Sequence, residues 1–79
     1  MQRLEQLLLF LARSLVDDPE KVEVEGKETG SRVDLTLRVA PKDMGKVIGR
    51  NGRTVKAIRA VMKAAAVKAN KRVNVEVAD

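Results

Sequence analysis

Apolar residues recur along this chain at two periods. Residues 2–15, QRLEQLLLFLARSL, set Leu4, Leu7, Leu8, Leu11 and Leu15 three and four apart, the spacing of one helix face. Leu9, Phe10 and Ala12 widen that arc past what one core contact needs. The surplus has two readings: the greasy lid of a small sheet, or a docking face for a partner subunit, since a domain this small gains much from association. Asp17-Asp18-Pro19 ends the helix. Lys21-Val22-Glu23-Val24-Glu25 then alternates with period two and predicts a half-exposed strand. Gly26 to Gly30 (GKETG) predicts a turn, and Arg32 to Val39 a longer strand with Val33, Leu35, Leu37 and Val39 facing one way. The two strands are expected to pair as an antiparallel hairpin. Glu23, Glu25 and Glu28 face Arg32 and Arg38 there, as exposed pairs of little energetic weight.

Pro41 suits the first turn of a helix, and Lys42 to Ile48 predicts a short one with Gly49 at its C′ position. Gly45 inside it costs roughly 1 kcal/mol relative to alanine, which implies that close packing or ligand approach requires it. After Gly52 helical spacing resumes to Asn70, with Val55, Ile58, Val61, Met62, Ala65 and Ala69 as the expected buried stripe. Arg53, Lys56, Arg59 and Lys63 form a separate basic stripe. Arg72 to Val77 alternates again as a last strand. The order is helix-strand-strand-helix-helix-strand, and the helical crossover makes strands 31–39 and 72–78 parallel, with a right-handed connection. The expected class is α+β: one domain over residues 1–79, a three-stranded mixed sheet with three helices on one face.

Composition narrows the chemistry. Seventy-nine residues leave no room for a second core. With no cysteine there is no disulfide or thiolate chemistry, and with no histidine the commonest acid/base catalyst and metal ligand is missing. No cofactor, metal site or small-molecule substrate is expected. The apolar run Leu7 to Ala12 is too short to span a bilayer, and its flanks do not read as a signal peptide, so a cytoplasmic protein is expected. The net charge is +5, unevenly spread. Residues 41–72 carry ten basic side chains against Asp43 alone, a local +9, while the rest has six basic and ten acidic residues, a net −4. Such concentration is either a solvated face or a surface built to meet an anion.

The centre of that basic segment is Gly49-Arg50-Asn51-Gly52, between the two predicted helices. Glycines three apart make a turn that keeps side chains away from its ends and lets a phosphate chain approach free backbone N–H groups. Lys46, Arg53, Lys56 and Arg59 surround it with positive charge that adds phosphate contacts without reading sequence. Ile48, Val55 and Ile58 are either an apolar floor beneath bases or plain core.

The stretch Val47 to Arg59, VIGRNGRTVKAIR, resembles the signature of a KH domain, and the order of elements resembles the type II, prokaryotic arrangement of that fold. Length and the N-terminal leucine-rich helix are similar to the small stand-alone KH proteins of bacteria. The resemblance implies single-stranded RNA bound in a groove about four nucleotides wide. Gly49 and Gly52 would bracket the loop at the sugar-phosphate backbone, Arg50 and Asn51 would project from it, and Ile48, Val55 and Ile58 would line or support the floor. The family is associated with self-pairing or pairing with a larger KH-containing protein, so a homodimer or heterodimer is expected. With Phe10 the sole aromatic, stacking worth about 1–3 kcal/mol per base is missing. Monomer binding should be weak, salt-dependent and poorly sequence-selective, with affinity gained by joining KH units.

Three other readings compete. A helix-turn-helix DNA binder also has two helices about a glycine turn, but the first helix here is very short. A phosphate-binding P-loop would need glycine where Val47 stands and lysine where Arg53 stands, and no catalytic constellation accompanies it. A pure interaction module would need only the leucine-rich helix.

Overall fold

The computed structural model describes residues 2–78, and the element order is the expected one, with short 3-10 turns added. Helix α1 spans Gln2–Arg13 and buries Leu4, Leu8 and Ala12, one residue per turn. It ends two residues before the expected boundary because Ser14 Oγ donates to the Phe10 carbonyl at 2.7 Å and Leu15 N–H to Ala12 O at 3.0 Å, which tightens the last turn. Leu7 and Leu11 are half-buried rather than central, Leu15 is exposed, and Phe10 stands 67% exposed.

A 3-10 turn at Pro19–Lys21 removes Lys21 from the strand predicted there and buries Val22. Strand β1 runs Glu23–Thr29 and pairs antiparallel with β2, Arg32–Arg38, from Glu23↔Arg38 to Thr29↔Arg32. The segment Gly26 to Thr29 is therefore strand, not turn. The reversal is confined to Gly30-Ser31, with Gly30 at φ +61, where a two-residue hairpin wants a glycine. Pairing, rather than burial, holds this ribbon as strand, because Glu25 to Thr29 are all exposed.

Val33, Leu35, Leu37 and Val39 are all buried, as the alternation predicts. β2 is the central strand and lies parallel to β3, Arg72–Ala78. Helix α2 is Met44–Ile48, entered through a 3-10 turn at Pro41–Asp43. Helix α3 is Arg53–Lys68 and buries Val55, Ile58, Met62 and Ala66. The predicted stripe is buried at Val55, Ile58 and Met62 and half-buried at Ala65, and departs from expectation only at its edges. Val61 is 45% exposed and Ala69 is exposed, while Ala66 takes the core position in line with Ile58 and Met62. The helix closes on Asn70 at φ +58, with Asn70 N–H bonded to Val67 O and Lys71 N–H to Ala66 O, a Schellman motif. The core joins α1, α3 and one face of the sheet, leaving the opposite sheet face to solvent. No helix among the described residues is long and apolar enough to cross a membrane.

Candidate nucleic-acid interface

The connection between α2 and α3 is four residues, and its backbone explains their identity. Gly49 (φ 77, ψ 172) occupies a region open essentially only to glycine. A Cβ there would also meet Thr54, lying 2.7 Å from its Cβ and 2.8 Å from its backbone N. Asn51 (φ 57, ψ 25) and Gly52 (φ 73, ψ 15) are both left-handed, which asparagine tolerates and glycine favours. Gly52 has open space around it, so its demand is conformational rather than steric.

The loop's donors can be accounted for. Gly49 N–H closes α2 on Gly45 O at 2.8 Å, Gly52 N–H bonds Gly49 O at 3.2 Å, and Arg53 N–H bonds Arg50 O. The N–H groups of Arg50 and Asn51 open the 3-10 turn and so have no partner within it. Successive free N–H groups in such a turn form a concavity that accepts an anion.

The predicted cations divide into two sets. Arg50, Arg53 and Lys56 are exposed and enter no ion pair among the described residues. Arg59 leans across to the sheet, its Nε donating to the Val75 carbonyl at 3.1 Å on β3, and it enters no ion pair among the described residues. Lys46 is different: its ammonium is held between the carboxylates of Asp17 and Asp43, the latter at 3.6 Å. The Asp17 hydrogen bond, outweighing the cost of burial, raises its pKa above the usual lysine value. Ile48 is half-buried beside the loop, Val55 is buried under it, and Ile58 belongs to the core.

Asp43 escaped the sequence reading. It is fully buried, and its carboxylate accepts the backbone N–H groups of Asp17 at 3.2 Å and Asp18 at 3.1 Å. Burial pushes its pKa up, but those two N–H groups and Lys46 more than offset this, so the net shift is downward. The carboxylate thus ties the exit of α1 to the start of the helix that carries Gly49. As the lone acid in a basic segment, it carried its own signal. Gly45 also differs from expectation: nothing lies within 4 Å of where its Cβ would sit, so packing does not require glycine there.

A β-α-α-β core with a G-x-x-G loop between its helices, preceded by a helix and an antiparallel strand, defines a KH domain of type II arrangement. The sequence model of the KhpA/KhpB KH domain matches residues 5–77, and the chain belongs to that family. Its relatives include "RNA-binding protein KhpA" of Clostridium acetobutylicum, 57% identical over 94% of this chain and 99% of that protein. The protein of the same name from Bacillus subtilis is 44% identical over 99% of this chain and 96% of its own length. Among solved structures, Aquifex aeolicus Era bound to GDP and aluminium fluoride superposes with TM-score 0.67 at 15% identity, over 95% of this chain and 29% of Era. Era in complex with a guanine nucleotide analogue and a segment of 16S ribosomal RNA gives 0.66 at 15% identity, over 94% of this chain and 28% of Era. At such identity these two neighbours speak for the fold alone.

Proposed function

We propose that this protein binds single-stranded RNA in the cytoplasm by seating its sugar-phosphate backbone on the Gly49–Gly52 loop, and serves post-transcriptional regulation. One observation carries the reading: the loop presents the two N–H groups that open its 3-10 turn, without a partner in that turn, beside Arg50, Arg53 and Lys56, none of which has a protein counter-ion among the described residues. Its relatives are named for RNA binding. Arg53, Lys56 and Arg59 contact phosphates, and Ile48 forms the exposed part of the apolar floor. Gly49 and Gly52 let the strand approach. Lys46 acts mainly by holding α2 to Asp17 and Asp43. The reaction class is binding, with no catalytic step.

The test is an Arg50→Asp/Asn51→Asp double variant against short mixed RNA over a salt series. Aspartate tolerates the left-handed geometry of position 51 nearly as well as asparagine. Lost affinity with a native circular dichroism spectrum supports the clamp, and unchanged affinity removes it.

A second observation bears on assembly. Between α1 and α3 lies a groove of about 270 Å³ with an apolar lining that includes Phe10, Leu15, Ala57 and Val61. We infer that a second KH unit, from another copy or from a larger KH protein, covers it and so joins two weak RNA sites. A protein that sediments as monomer at micromolar concentration, alone and with cell extract, would defeat this inference.

A further inference from the structure

At the far end of α3 from the loop, the helix and β3 diverge to leave a second basic cleft. It measures about 470 Å³ and is lined by Lys63, Ala66, Val67, Lys71, Arg72 and Val73. A smaller recess of about 210 Å³ continues it past Arg72 to Arg32 and Asn74. The walls are rigid: the Schellman turn fixes the chain through Lys71, and Arg72 N–H bonds Ser31 O at 2.7 Å.

The charges do not balance. Arg32 and Arg72 are direct partners in the parallel ladder, a like-charge placement that costs stability unless something answers it. Asp34 answers Arg32 at 3.2 Å, and Glu28 answers Lys71. Lys63 and Arg72 have no carboxylate partner among the described residues. Val67, 65% exposed, and half-buried Val73 give the cleft an apolar floor between its cations. Cations over an apolar floor suit a nucleotide, with the phosphate on the charges and the base on the valines.

Position supplies the link to the first site. Lys63 lies ten residues along α3 from Arg53, about 15 Å at 1.5 Å per residue. Lys56 and Arg59 fall between, on the same side of the helix. We propose that the Lys63–Arg72 cleft holds a further nucleotide of the RNA strand that the loop clamps, so that the footprint exceeds the four nucleotides of the loop groove. The proposal rests on the RNA reading above.

The experiment measures the salt dependence of binding for four-nucleotide and ten-nucleotide mixed RNA, with the parent, a Lys63→Gln/Arg72→Gln variant and the loop double variant. Longer RNA offers more registers, which raises affinity but leaves the salt slope unchanged. One added phosphate on these cations steepens that slope by about 0.7 for single strands. The expected result is a steeper slope on the longer RNA for the parent, with the Gln variant matching the parent on the short RNA and losing the increment on the long one. Equal slopes on both lengths, or an increment that survives in the Gln variant, overturns the proposal while the loop clamp stands. Binding that is indifferent to the loop variant overturns the clamp, and the footprint with it. Both substituted residues sit at the surface, and thermal melting of the Gln variant checks that the fold is kept.

Discussion

The open face of the sheet and the outer face of α3 are both rich in charge, and they are built on opposite plans. Along the sheet, Glu23, Glu25, Lys27, Arg32, Asp34, Arg38 and Glu76 mix the two signs, with Arg38 paired to Glu25, Arg32 paired to Asp34, and Lys27 set against Asp34 in the ladder. On the loop and α3, Arg50, Arg53, Lys56 and Lys63 enter no ion pair among the described residues. Charge density therefore does not mark a binding surface, since exposed pairs of mixed sign contribute little beyond solubility. Unpaired charge of one sign, next to the leading N–H groups of a tight turn, does mark it.

The largest expected effect comes from removing the backbone shape that makes the second plan work. Gly49→Ala places a Cβ against Thr54 and demands a conformation costing about 1–3 kcal/mol before the overlap is counted. Melting should fall by about 4–8 °C for each kcal/mol lost, and RNA binding should disappear. Gly52→Asn tolerates the left-handed φ of 73 and should keep the fold with a smaller loss of binding. Equal behaviour of the two variants would show that the loop is not fixed by Gly49, and the contrast between the faces would then rest on side chains alone.

Next comes the buried carboxylate beneath the loop, the reverse of the exposed pairs on the sheet. Because the Asp43 pKa is lowered in the fold, its contribution is complete above the ordinary aspartate value and is lost as pH falls through the lower folded value. The melting temperature should drop on acidification below about pH 4, and Asp43→Asn should melt several degrees lower at neutral pH with a flatter acid limb. By contrast, Asp34→Asn on the sheet removes only an exposed pair with Arg32 and should move the neutral-pH melting temperature little. A parent-like acid limb in Asp43→Asn would remove Asp43 as the tie between α1 and α2.

Most of this was legible in the sequence, for a physical reason. Where one face is covered by core, as for Val33, Leu35, Leu37 and Val39, burial writes the period into the residues. The G-x-x-G loop was legible because positive φ selects glycine. The second half of β1 was not, because Gly26 to Thr29 lie beyond the helices and hold strand geometry only through cross-strand bonds. The stripe of α3 was legible at Val55, Ile58 and Met62 and misread at its edges, because Val61 is apolar for the groove against α1 and the core position after Met62 is filled by an alanine, Ala66, among other alanines. Asp43 was hidden because its partners are backbone N–H groups far off in the chain.

A smaller effect separates the two faces directly. Lys56→Gln on α3 should reduce the salt slope of RNA binding by about 0.7, one phosphate contact. Lys27→Gln on the sheet should leave it unchanged. Titration of the same RNA at three salt concentrations distinguishes them, and a matching loss from Lys27→Gln would mean that net charge, not its placement, drives binding.

The smallest effect bears on how closely RNA approaches α2. Gly45 is exposed, and a Cβ there has open space, so Gly45→Ala should gain about 1 kcal/mol of helix stability. A higher melting temperature with unchanged affinity would make Gly45 a neutral defect of the helix. A higher melting temperature with weaker binding would mean that the strand passes against the bare backbone of α2, one turn before Gly49, and would extend the floor of the site upstream of Ile48. The helix tolerates the added methyl in either case, so any cost to binding must arise in the space that the RNA occupies.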